Sequence, residues 1–144
     1  MTGEPPKGRV GRIVVMAVLV ASAFFAMLRY FYVVSHSTLG ELRALRGEMS
    51  EEPWTPEREA EFRLRLDGLS AGAEGHRPEE RARVLFLQAH WHCRAARGGD
   101  LKEGARLYRE ALALDGKLVH DEWLAADVKR LEAAGVEGWN RILK

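Results

Sequence analysis

The chain has 144 residues, of which 47% are hydrophobic and 30% charged, and it contains one cysteine, Cys93. That length and composition suit one domain, or a small domain with a tether, and exclude wholly disordered, collagen-like and polytopic membrane chains. One thiol excludes an intramolecular disulfide and a multi-cysteine zinc site, and 22 basic against 21 acidic residues give no sign of a nucleic-acid binder.

The charge is unevenly placed. Residues 1–12 form a basic flank with Lys7, Arg9 and Arg12, and Glu4 is the only acidic residue before position 41. Ile13 to Leu28 reads IVVMAVLVASAFFAML, uncharged and with Ser22 as its one polar residue. At 1.5 Å per residue that run spans about 24 Å, and continuing through Val34 brings it to about 33 Å, enough for a hydrocarbon core of roughly 30 Å. Arg29 near one end can snorkel, and Tyr30 and Tyr32 suit an interfacial aromatic belt. The pattern predicts a transmembrane helix over 13–34. A cleaved signal peptide is the rival, since Ala21-Ser22-Ala23 fits the small-residue cleavage pattern. The apolar run continues past that site through Phe24, Phe25, Met27 and Leu28, which favours an uncleaved anchor. Lys7, Arg9 and Arg12 lie before the span, and Arg29, Arg43 and Arg46 lie at its end or beyond. The positive-inside rule leans towards a cytoplasmic N-terminus and an extracytoplasmic, periplasmic C-terminal domain.

Segment 35–54 reads as a juxtamembrane amphipathic stalk. Leu39, Leu42, Leu45 and Met49 recur at three- and four-residue steps, and Pro53 closes the pattern. A helix packed on the domain satisfies the same spacing equally well. The domain is expected over 55–144. Thr55-Pro56 supplies an N-cap and first helical residue for a helix over 56–69, with Phe62, Leu66 and Leu69 on one face. Gly72 and Gly75 mark a loop, and Pro78 opens a longer helix through Arg97 that carries Val84, Leu87, Ala89 and Trp91. Gly98-Gly99 ends it. Asp100 with Glu103 reads as a capping pair for a helix over 101–114, whose core face includes Ala105, Tyr108 and Ala111. After Gly116, Trp123, Leu124, Val128 and Leu131 define a helix over 120–134 ended by Gly135, and Trp139, Ile142 and Leu143 lie in a short tail. No segment alternates with period two, so the chain is all-α with short links that favour antiparallel neighbours.

From Ala89 to Asp115 the chain reads AHWHCRAARGGDLKEGARLYREALALD. This stretch resembles a tetratricopeptide repeat, a helix–turn–helix of about 34 residues, with the best match over 85–118. The likeness is strongest from Gly99-Asp100 through Tyr108 to Asp115; His92, Gly104 and Gly116 depart from the family's usual Gly, Ala and Pro. Joined to the transmembrane helix predicted over 13–34, the resemblance implies a single N-terminal span followed by a small TPR-like antiparallel helical-hairpin domain. One repeat cannot bury its own faces, so the helices at 56–69 and 120–134, with a truncated partner at 137–143, would complete the core. The first helices of such repeats line a groove, which implies a partner-binding surface at Phe86, Ala89, His90, Cys93 and Arg97; Phe86 and Ala89 serve a core equally well. Arg97 suits a bidentate contact with a partner's carboxylate, or a helix C-terminal cation facing the dipole.

Little else points to chemistry. On a helix His90 and Cys93 share a face while His92 points elsewhere, and two ligands do not make a metal site. A nucleophilic Cys93–His90 pair would need an orienting third group. The sequence holds no phosphate loop, dinucleotide fingerprint or nucleophile elbow. No catalytic residue, cofactor or metal is assigned, and neither a nucleic acid nor a small-molecule substrate is expected. The architecture is similar to single-span bacterial envelope proteins with tetratricopeptide domains. It implies a membrane-anchored, non-enzymatic protein–protein interaction adaptor that meets the lipid bilayer and protein partners and assists assembly or secretion. The alternative is an accessory subunit of a larger membrane complex, for which Ala17 and Ala21 offer small residues for helix contact.

Overall fold

A computed structural model describes residues 7–35 and 37–139. Among them are six α-helices and no strand, and the chain divides into two units, 1–40 and 41–144. The first unit is dominated by α1 (Lys7–Ser35). Its stretch Gly11–Phe31, 21 residues, is long and apolar enough to cross a membrane, and its large apolar side chains are exposed. At about 32 Å it matches the hydrocarbon thickness. The expected span 13–34 lies within α1 and shares residues 13–31 with this stretch.

The second unit begins inside α2 (Thr38–Ser50), not at residue 55. Leu42, Leu45 and Met49 are buried and share one cluster with Phe62 and Leu66 of α3 (Pro56–Ala71) and Leu87 and Trp91 of α4 (Pro78–Arg94). Residues 41–50 are thus a core element rather than a free stalk. The leucine spacing made both outcomes possible; the apolar faces of α3 and α4 decide between them, since each buried side chain contributes about 1.5–3 kcal/mol. Polar contacts fix the register of α2: Trp54 Nε1 donates to the Met49 carbonyl at 3.0 Å, and Arg65 pairs with Glu48 at 2.6 Å.

Thr55 caps α3 through the Arg58 amide, with Pro56 at the first helical position, as its sequence requires. α4 is the centre of the domain. Phe86, Ala89 and Cys93 face a cluster shared with α5 (Leu101–Leu114) and α6 (Glu122–Ala133), while Val84, Leu87 and Trp91 face the α2–α3 side. α4 ends at Arg94, three residues before the expected stop. The amides of Ala96 and Arg97 instead donate to the Glu59 carboxylate at 3.0 and 3.2 Å, and Trp91 Nε1 donates to the Glu59 carbonyl at 2.9 Å. Glu59 therefore ties α3 to the α4–α5 link.

α4 and α5 lie antiparallel and very close. Tyr108 meets the Phe86 ring edge-on at 5.0 Å, while Gly104, four residues earlier, faces Ala89 and Cys93. A Cβ at Gly104 would sit 2.9 Å from Cys93 Sγ and 3.1 Å from the Ala89 carbonyl, so the glycine sets how near the helices approach. Asp100 caps α5 through the amides of Lys102 and Glu103. The reciprocal half of the expected capping pair is replaced: the Asp100 amide donates to His92 Nδ1, and the Glu103 carboxylate pairs with Arg106 at 2.7 Å. A 3₁₀ turn at Gly116–His120 leads into α6, which Gly135 closes with φ +77°. Trp139 is buried against Tyr108. The expected partner helix at 137–143 lies mostly outside the described residues.

Candidate functional site

Helical periodicity puts Leu124, Val128 and Leu131 on the buried face of α6, and Asp127 falls on the same face, fully buried. A carboxylate there must be paired. Asp127 Oδ2 accepts from the Tyr108 hydroxyl at 2.5 Å and lies 2.5 Å from His90 Nδ1; Oδ1 accepts from Arg130 at 3.1 Å. The contact with His90 is a hydrogen bond in the tautomer that places the proton on Nδ1, since a carboxylate oxygen accepts. The imidazole stacks on Trp123 at 4.1 Å and meets Trp54 edge-on at 6.0 Å, which places it at the seam between the two apolar clusters. Asp127 thereby joins α4, α5 and α6 through hydrogen bonds made inside the core. Burial and the adjacent Asp127 charge hold the Tyr108 hydroxyl well above its ordinary pKa.

The residues expected to line a partner groove are placed otherwise. Phe86, Ala89, His90 and Cys93 are buried, because α2, α3, α5 and α6 occupy the surroundings of α4. Arg97 is exposed, but it lies in the link beyond α4 rather than in the helix's last turn. His90 and Cys93 do share a helix face, and Asp127 is a third group that orients His90. The imidazole's other nitrogen, Nε2, makes no hydrogen bond among the described residues, so it does not engage the Cys93 thiol. Among the described residues no three His, Cys, Asp or Glu side chains are grouped so as to hold a metal ion.

Burial, with the Asp127 charge adding to it, pushes the Cys93 thiol up to about 12. Thiolate is the reactive form, so alkylation of native protein at pH 8 is expected to run on the order of 10³-fold slower than that of an ordinary cysteine. Mass spectrometry during iodoacetamide exposure measures this; full labelling with helicity intact would contradict the burial of the thiol. The linkage has a definite sign. The unfolded thiol ionises near 8.5 and the native one near 12, so the native state holds the extra proton between them and stability falls as pH rises through that window.

A surface cleft of mixed polarity lies between α2, α4 and the turn before α6. It has a volume of about 170 Å³, an apolar floor including Leu42, Phe86 and Leu87, and Arg43, Arg46, Arg83 and Asp121 around it. Arg46 is held by Asp121 through two bonds of 2.6 and 3.0 Å and lies 4.5 Å from the centre of the Trp123 ring. No family model matches the chain, and no curated protein or solved structure matches it.

The sequence gives no role to Asp127 or to this cleft, and its alternation Glu57-Arg58-Glu59 reads as a solvated face with local ion pairs, whereas Glu59 is buried and accepts from two backbone amides. Asp127 did leave a signal, a carboxylate in register with Leu124 and Leu131 on an apolar stripe. The cleft left none, since its walls come from segments more than seventy residues apart at the extremes, as the Arg46–Asp121 pair illustrates.

Proposed function

We propose that the chain is a single-span, membrane-anchored helical adaptor of the tetratricopeptide kind, whose domain works outside the cytoplasm in assembly or secretion at a bacterial cell envelope. One observation carries the reading. Between Ile13 and Leu28 α1 carries no charge and exposes apolar side chains throughout, with Ile13 66% and Phe25 73% exposed, whereas the domain after it buries its apolar side chains in two clusters. An apolar surface of that extent is sustained by lipid or by another protein. The tetratricopeptide part is supported by the close antiparallel α4–α5 pair, the Asp100 cap, and Tyr108 packed between helices. Confinement to a membrane raises the domain's effective concentration for partners there.

The full-length chain is expected to stay with the membrane fraction after alkaline carbonate washing, with its N-terminal segment intact by mass spectrometry. A soluble product beginning near Phe24 would overturn the anchor. Affinity capture after gentle detergent extraction then tests the adaptor. A changing set of clients supports it, and a fixed stoichiometric set of membrane proteins would make the chain an accessory subunit instead.

A further inference from the structure

We infer that the cleft between α2, α4 and the 116–121 turn holds the phosphate of an anionic lipid headgroup, with Arg43 and Arg83 as its ligands; this rests on the membrane-anchor reading. The cleft brings together three guanidinium groups and one carboxylate. Asp121 is already committed, with both oxygens on Arg46 and Oδ1 also accepting from the Trp123 amide at 2.9 Å. Arg43 and Arg83 are exposed, and among the described residues neither forms an ion pair or hydrogen bond with a carboxylate. Two uncompensated cations therefore stand over a floor made by Leu42, Phe86 and Leu87. The complement is an anion with an apolar neighbour, which is the chemistry at the junction of a phospholipid headgroup and its acyl chains. A guanidinium presents paired donors that match phosphate oxygens.

Connectivity favours lipid over an acidic peptide as the source. Only His36 and Ser37 separate α1 from α2, and Arg43 is eight residues past the end of α1. So short a tether in sequence keeps Arg43 within reach of phosphate headgroups on whichever side the domain lies, and attraction to anionic headgroups acts over about a Debye length. The cations are also not spread along a disordered tail. They stand on helices that belong to the packed core, so their spacing is set in advance and little ordering is needed on binding.

The test uses the full-length chain in two kinds of vesicle, phosphatidylcholine alone and equal parts of phosphatidylcholine and phosphatidylglycerol. The thermal midpoint of the helical signal is read in each. A ligand that binds only the native state raises that midpoint, so the anionic vesicles are expected to raise it by several degrees. Arg43→Glu and Arg83→Glu should each remove most of that increment while leaving the midpoint in phosphatidylcholine unchanged. Arg77→Glu, an exposed change away from the cleft, should keep it. Equal midpoints in both vesicles overturn the inference, as does equal loss in all three variants, which would mean diffuse surface charge. A matching rise from soluble glycerol phosphate in phosphatidylcholine vesicles overturns the lipid source. So does an Arg83-dependent rise from an acidic peptide where lipid has no effect. Failure of the anchor has a separate mark: the chain would not float with either vesicle, and the inference would fall with it.

Discussion

Replacing Asp127 with alanine is expected to destabilise the domain by about 3–5 kcal/mol, the range for breaking one side of a buried, hydrogen-bonded charge site. The change strips the Tyr108 hydroxyl and His90 Nδ1 of their shared acceptor at a point where water does not reach. Tyr108→Phe is the milder probe. It removes one donor and leaves His90 and Arg130 on the carboxylate, so about 1.5–3 kcal/mol is expected. The instructive comparison is a triple replacement of Asp127, His90 and Tyr108 by Val, Leu and Phe. Apolar packing of similar volume needs no desolvated charge, so it should recover most of what Asp127→Ala loses. Denaturant titration of each variant measures the series. A loss below about 1 kcal/mol for Asp127→Ala would mean that the carboxylate is not the common acceptor described above.

Leu45→Ala is expected to cost about 2–5 kcal/mol, as for any fully buried leucine truncated in a packed core. A free stalk would show almost nothing, so the number separates the two readings of the α2 leucines. The exposed neighbour Ala44 is the control, and Ala44→Ser should stay within about 0.5 kcal/mol. The same reasoning predicts where the chain can be cut. A fragment starting at residue 55 lacks Leu42, Leu45 and Met49 and uncovers Val84 and Leu87, whereas one starting at 41 keeps that cluster whole. The longer fragment should unfold in one cooperative transition, and the shorter one should have a much lower midpoint or none. Equal midpoints would show that α2 contributes nothing.

Local signals in this chain were readable because their causes are local. Thr55-Pro56, Asp100 and Gly135 each act within a few residues on the amides or carbonyls of a helix end, and the structure uses each of them there. The uncharged run after Arg12 was equally plain. What could not be read was which apolar face meets which. Leu42, Leu45 and Met49 present one stripe whether they are docked or free. The groove expected at Phe86, Ala89, His90 and Cys93 follows from the resemblance, in which the first helices of repeats line a groove. In this domain α4 packs on both sides, and these four residues are buried. The partners of Asp127 are nineteen and thirty-seven residues away in sequence, and only the packed fold brings them to one oxygen.

All four tryptophans have an arginine over the ring: Arg94 above Trp54, Arg63 above Trp91, Arg46 above Trp123 and Arg109 above Trp139, with guanidinium carbons 4.5 to 5.3 Å from the ring centres. Attraction of a cation to the face of an indole explains the pairing. Its consequence is optical. Indole emission responds to nearby charge and water, so the protein carries a set of intrinsic lamps, each sensitive to one lid. Trp54 and Trp91 light the α2–α3 side, Trp139 lights the α5–α6 side, and Trp123 touches both. A guanidinium that swings away on ligand binding or local opening changes one lamp and leaves the others, and single tryptophan-to-phenylalanine variants would say which one.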